Sequence, residues 1–140
     1  MATKKTTTKK KDYIATIGRR KTAIARVRLF EGKTEIQVNG QPVSKYWPGV
    51  HLETLYMEPF RTTNTQAKYT ATVKIVGSGV RGQIGAFIHA ISRALSQVNP
   101  ERFRPILRSH GFLTRDPRMK ETRKVGTGGR ARAKRQSPKR

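Results

Sequence analysis

The sequence predicts an α+β domain of about 100 residues carried between two basic arms. Three observations predict it. From Thr22 to Phe30 the chain alternates with a period of two, as a half-buried strand requires. From Ile84 to Val98 apolar side chains recur at i, i+3, i+4 and i+7, the broad stripe of an amphipathic helix. Both ends of the chain are poor in large apolar residues and dense in Lys and Arg.

Residues 1–12 carry five Lys and one Asp and read as a disordered basic arm, or as a solubilising tail without a specific contact. From Tyr13 the pattern becomes strand. Ile14 to Ile17 lead into Gly18, and after Thr22 the residues Ala23, Ala25, Val27 and Leu29 share a core face. Ile24, Arg26, Arg28 and Phe30 share the outward face. Between these halves Gly18-Arg19-Arg20-Lys21-Thr22 predicts a bulge or a close backbone approach, with three cations wrapping a local ridge. That ridge reads as a phosphate clamp or as a solvated charge run. Glu31-Gly32 predicts a hairpin turn, with Thr34, Ile36 and Val38 as the returning strand ending at Asn39-Gly40.

Val50, Leu52, Leu55, Tyr56 and Pro59 predict a short amphipathic helix stopped by the proline, and Trp47 before it is expected in the core. Residues 61–68 read as a polar loop. Tyr69 to Val76 is a strand with Ala71, Val73 and Ile75 inward and Thr70, Thr72 and Lys74 outward. It runs into Gly77-Ser78-Gly79-Val80-Arg81-Gly82, spaced G-x-G-x-x-G before the helix Gln83 to Val98. A dinucleotide site is excluded, because no second parallel strand ending in an acid follows the helix. The glycines then serve either a phosphate at the helix N-terminus, with Arg81 adding charge, or close packing of strand on helix. Asn99 and Pro100 cap and open a further helix with Phe103, Ile106 and Leu107 inward; Pro105 should bend or restart it and Gly111 end it.

The formal net charge is +23, divided as +4 over residues 1–12, +10 over 13–114 and +9 over 115–140. Like charges repel and destabilise a compact state, so even the central domain implies a partner of high negative charge density, with a phosphate backbone favoured. The segment 115–140 holds eleven Lys or Arg against Asp116 and Glu121. It cannot bury enough apolar surface to order alone, and extended it would reach on the order of 85–95 Å at ~3.3–3.6 Å per residue. A domain of ~100 residues has a radius of gyration of only about 13 Å, so such an arm would work far from its mount.

The absence of Cys excludes a disulfide framework and thiolate zinc sites. No apolar run approaches the ~18 residues of a membrane helix, and the N-terminus lacks a signal peptide's apolar core. A cytoplasmic location follows as an expectation, a plastid-encoded origin being the alternative. His51, His89 and His110 stand apart without ligand spacing, and no acid occurs between Glu58 and Glu101. No catalytic residue, metal or cofactor is expected.

Gly18-Arg19-Arg20-Lys21-Thr22-Ala23-x-Ala25-Arg26-Val27-Arg28 resembles the opening signature of the bacterial-type small ribosomal subunit protein 9 family. Val38-Asn39-Gly40, Gly77-x-Gly79-Val80-x-Gly82-Gln83-x-Gly85-Ala86, Leu113-Thr114-Arg115-Asp116-x-Arg118 and Lys139-Arg140 follow in the family's order. The resemblance implies a two-layer sandwich of a mixed four-stranded sheet with helices on one face, akin to a domain of ribosomal protein 5 and containing a left-handed crossover. A long extended basic C-terminal tail completes it. It implies a structural protein of the small-subunit head, bound to ribosomal RNA beside neighbouring head proteins and not forming a homo-oligomer. Its tail would reach the anticodon stem-loop of the P-site tRNA. By position, Arg19, Arg20, Lys21, Arg115 and Arg118 would contact rRNA, and Lys139 and Arg140 the tRNA. Charge and exposure add Arg26, Arg28, Arg81, Arg123, Lys124, Arg130, Arg132, Lys134 and Arg135 as rRNA-binding candidates. The chain departs from the family's usual ending by reading Ser137-Pro138-Lys139-Arg140, without an aromatic, and by carrying Ile88 where Arg is usual. Two other classes fit the charge: the protein subunit of an RNA-processing ribonucleoprotein, which needs no reaching arm, and a DNA-architectural protein, which needs an apolar wedge not evident in this sequence.

Overall fold

The strand with the strictest alternation is the one around which the sheet assembles. A computed structural model of the chain describes residues 12–122. Strand β1 (Ile14–Arg20) pairs antiparallel with β2 (Ala23–Glu31), in unbroken register from Ile14 opposite Leu29 to Arg20 opposite Ala23. The two residues between them, Lys21 and Thr22, make the turn, with Lys21 at φ 52°. On its other side β2 pairs antiparallel with β5 (Tyr69–Val76). Beyond β5 lie β3 (Gln37–Val38), parallel to it, and β4 (Gln41–Pro42), antiparallel to β3.

The sheet therefore has five strands in the order β1-β2-β5-β3-β4, not the four expected. The fifth arises because Asn39 and Gly40, at φ 51° and 80°, close a second tight hairpin instead of ending a strand. The expected hairpin from Thr22–Phe30 to Thr34–Val38 does not form. Both sides of β2 are taken by strands of seven and eight residues, which offer far more ladder hydrogen bonds than a two-residue segment. Gly32 still donates to the Lys68 carbonyl at 3.0 Å, so the turn signal marks the exit from the sheet.

Helix α1 (Val43–Tyr46) is a single turn, and α2 (Val50–Thr62) follows it. Pro59 does not stop α2. Pro59 and Phe60 are fully buried, and burying Phe yields ~1.5–3 kcal/mol, enough to offset the ~3 kcal/mol of an interior proline. Helix α3 (Val80–Val98) starts three residues before the expected Gln83. Helix α4 (Pro100–Ser109) opens as expected, with the Asn99 side chain accepting from the Arg102 N–H at 3.1 Å. It runs through Pro105 without restarting, because Pro105 and Glu101, whose carbonyl loses its donor, are both accessible to water. The end is a Schellman motif: Phe112 N–H donates to the Leu107 carbonyl and Gly111 N–H to that of Arg108, with Gly111 at φ 74°.

All three long helices lie on one side. Ala23, Ala25, Val27 and Leu29 meet Ala71, Val73 and Ile75 under Ile84, Phe87, Ile91 and Leu95 of α3, and every one of these is buried. Trp47 is core, 2 % exposed, with its ring 5.5 Å from that of Phe87. Ile88, the family's usual Arg, packs partly buried against the same core. Gly18 produces no bulge. It serves the alternative of close approach: a Cβ there would overlap the Ala86 carbonyl and the Ala90 backbone, so α3 rests directly on β1.

Candidate nucleic-acid interface

The hairpin turn of β1 and β2 meets the loop between β5 and α3 at one end of the domain. Gly77, at φ 85°, lies so close to the Thr22 carbonyl that a side chain there would collide with it. The aliphatic stem of Lys21 runs past Gly82 in the first turn of α3. Of the glycines in the G-x-G-x-x-G stretch, Gly77 packs on the β1–β2 turn and Gly82 on Ser78 within the loop, while Gly79 has open space around it, so neither expected use describes all three. The loop is further fixed by a chain of side chains. Asn39 pairs with both peptide groups of Ile75, accepting from its N–H at 2.9 Å and donating to its carbonyl at 3.0 Å. Its Nδ2 also donates to Tyr46 Oη, which donates to Gln83 Oε1, while Gln83 Nε2 donates to the Gly77 carbonyl at 3.2 Å. Exposed Lys21 and Arg81 are held on this frame.

The outer edge of β1 makes the second part of the surface. An edge strand presents unpaired peptide groups, and here α3 takes two of them while a side-chain bond ties strand to helix. Arg19 N–H donates to His89 Nδ1 at 3.2 Å, the Arg93 guanidinium donates to the Ile17 carbonyl, and Thr16 Oγ1 donates to the buried Ala90 carbonyl at 2.8 Å. The His89 pKa is lowered, first by burial and then by the cations Arg93 and Arg115, against the opposing hydrogen bonds to the Leu113 and Arg19 backbone. The imidazole is therefore neutral at neutral pH and free to accept at Nδ1. Arg19, Arg93 and Arg115 line a groove along this edge with His89 between them.

Beside the groove the C-terminal segment is clipped to the domain. Asp116 Oδ1 accepts from the Arg118 backbone N–H and from Nε, both at 3.0 Å, and Oδ2 accepts from Arg118 Nη2 at 2.8 Å. The same Oδ2 lies 3.2 Å from Arg20 Nη2. These bonds to Arg118, with the charge of Arg20, hold the carboxyl well below the usual carboxylate range. Asp116 in turn raises the Arg118 pKa through its hydrogen bonds and charge. Arg20 lies on the helix side of β1, with its stem over Gly85 of α3. Its charge is spent on Asp116, which distinguishes it from exposed Arg19 and Lys21 on either side.

The expected candidates separate into groups. Lys21 and Arg81 share the turn-and-helix end; Arg19 and Arg115 share the edge groove; Arg20 and Arg118 share Asp116. Arg26 and Arg28 lie apart, on the exposed side of the sheet, with the Arg28 guanidinium 5.4 Å above the Tyr13 ring. Arg123, Lys124, Arg130, Arg132, Lys134, Arg135, Lys139 and Arg140 lie outside the described residues, as does the arm 1–11. Sequence reasoning missed Arg93 and the roles of His89 and Asp116, since each depends on a partner 70 or more residues away. The isolation of Asp116 among cations was the available signal. Among the described residues no group of three His, Asp or Glu could hold a metal ion, and no helix is long and apolar enough to cross a membrane. What the arrangement can do is bind a polyanion.

The sequence model of a family described as ribosomal protein S9/S16 matches residues 18–140. A small ribosomal subunit protein uS9 of Maridesulfovibrio salexigens is 47 % identical over 130 residues, covering 93 % of this chain and 98 % of that protein. The uS9 of Lawsonia intracellularis is 47 % identical over 123 residues, 88 % of this chain and 93 % of the relative. That of Dehalococcoides mccartyi is 40 % identical over 117 residues, 84 % and 88 % of the two chains.

Proposed function

This chain belongs to the ribosomal protein S9 family, structural components of the small ribosomal subunit and not enzymes, and from that premise we propose that it binds small-subunit rRNA in the subunit head. The domain is the anchor, and the exposed cations Lys21, Arg81, Arg19 and Arg115 grip RNA phosphates. Arg26 and Arg28 add contacts on the sheet. Arg20 and Arg118 act through Asp116, which sets the direction in which residues 115–140 leave the domain. The arm carries Arg123, Lys124, Arg130, Arg132, Lys134 and Arg135 along rRNA and brings Lys139 and Arg140 to the anticodon stem-loop of the P-site tRNA. Neighbouring head proteins complete the site, the chain acts as a single copy in the cytoplasm, and the sandwich is of the ribosomal protein 5 type.

The observation that carries the reading is the frame beneath the cations. Asn39, Tyr46 and Gln83 fix the loop between β5 and α3, beside which stand Lys21 of the β1–β2 turn and Arg81 of the first turn of α3, a cationic end that no acid among the described residues neutralises. Neutralising Lys21, Arg81 and Arg115 together should lower affinity for small-subunit rRNA. The log–log salt slope should flatten by roughly 0.7–0.9 for every phosphate no longer neutralised. An unchanged slope refutes the assignment. Deleting residues 137–140 should leave subunit assembly intact and speed dissociation of P-site tRNA from purified subunits; unchanged dissociation refutes the role of the tip.

A further inference from the structure

The side of the sheet turned away from the helices is uncovered by any described residue. Its side chains fall in rows set by the register: Ala15, Arg28 and Thr72; then Ile17, Arg26 and Lys74; then Arg19, Ile24 and Val76. Arg26 and Lys74 stand directly opposite each other on adjacent strands, where like charges destabilise a sheet. Neither forms an ion pair among the described residues. The three long strands contain one acid, Glu31, at the last position of β2. The free protein thus carries a repulsion that a polyanion relieves.

Charge alone does not describe this face. Ile17, Ile24 and Val76 are 41 %, 37 % and 70 % exposed; Ile17 and Ile24 stand one strand spacing of ~4.8 Å from Arg26 and Arg19, and Val76 stands beside Ile24. At the opposite end Phe30 packs on Tyr13 with ring centroids 5.5 Å apart, and Arg28 covers Tyr13. A duplex offers mainly phosphates and 2′-hydroxyls to a protein, and would leave these apolar groups without partners. An unpaired strand offers base and sugar faces between its phosphates, and aromatic and aliphatic side chains interleaved with cations match it.

We propose that the open sheet face docks a single-stranded segment of RNA, with Phe30 and Tyr13 stacking a base, Ile17, Ile24 and Val76 meeting base or sugar faces, and Arg26 and Lys74 sharing phosphate. The inference rests on the rRNA-binding reading above and specifies the conformation of the RNA taken at a second surface.

The test uses the full-length protein and a transcript of the small-subunit head rRNA. Replacing Arg26→Gln and Lys74→Gln together should raise the Tm of the free protein while lowering rRNA affinity and flattening the salt slope by about 0.7, as loss of one shared single-strand phosphate does. Phe30→Ser should weaken binding roughly fivefold to a hundredfold with the slope unchanged, as removal of a base stack does. Both variants should also fail to protect unpaired nucleotides in a footprint of the transcript. If neither alters rRNA binding while the Lys21, Arg81 and Arg115 variant does, the sheet inference is overturned and the rRNA reading stands. If none of the three variants alters it, both fall. Impaired incorporation into subunits with unchanged rRNA affinity overturns the inference in favour of a protein neighbour.

Discussion

Replacing Gly18 by Ala tests the contact on which the surface depends. The added Cβ would meet the Ala86 carbonyl and the Ala90 N and Cα, all backbone, so no neighbouring rotamer can make room. Overpacking of this kind costs ~1–3 kcal/mol. Displacing α3 also opens the buried Thr16–Ala90 hydrogen bond, and the Thr16 hydroxyl left as an orphaned buried donor costs a further ~1–3 kcal/mol. The loss of glycine's freedom in the unfolded chain acts the other way by only ~0.4–1 kcal/mol. A net loss of about 3 kcal/mol corresponds to roughly 12–24 °C in Tm for a domain of this size. Thermal melts and urea titrations of the free full-length protein, followed by circular dichroism, read it directly. A Tm change below about 4 °C, equivalent to under ~1 kcal/mol, would refute the reasoning. So would rescue by Ala90→Gly, since the overlapping atoms are not those of the Ala90 side chain.

Because the folded-state pKa of His89 lies below its unfolded value, the unfolded chain takes up the proton first as pH falls. Stability from His89 is complete above about 6.5 and is lost between there and the lower folded pKa; His89→Gln should flatten this pH dependence in urea titrations, and an equally steep profile would sink the assignment. Asp116→Asn removes the group shared by Arg20 and Arg118, so a spin label at a cysteine introduced for Lys120 should show a broader distance distribution to the domain. Charge exchange, Arg20→Asp with Asp116→Arg, should narrow it again; no change in either variant excludes the clip. Asn39→Ala loses both bonds to Ile75 and should cost ~1–3 kcal/mol, measured by urea denaturation. A loss below ~0.5 kcal/mol means that water replaces the amide at no cost.

Local pattern carried the long elements. Alternation in Ala23–Glu31 and Tyr69–Val76 and the apolar stripe of Val80–Val98 determined which side chains face the core, and the Asn99 cap and Gly111 terminus follow from chemistry within a few residues. Pairing was not legible. Nothing in residues 34–38 states that Val38 will lie beside Val73 rather than beside β2, because that choice is made by competition among distant strands. The prolines misled for a related reason. Pro59 and Pro105 lower the local preference for helix, but burial in one case and hydration of a freed carbonyl in the other outweigh it. At the site, charge located Arg19, Lys21 and Arg81. The difference between Arg20 and its neighbours needed the alternation of β1 together with Asp116, a residue remote in sequence.

Both borders of the sheet are poorly suited to further strands. On β1, His89 and Arg93 occupy peptide groups that another chain could have used, and β4 is two residues long and ends in a proline without an N–H. A protein this cationic is kept apart from other copies of itself by electrostatic repulsion, which fades when a polyanion binds. Borders with few free peptide groups then leave crowded copies little edge to pair through. Protonation of His89, which needs a pH below its already lowered pKa, would remove the acceptor of the Arg19 N–H and with it one of the two blocks on β1.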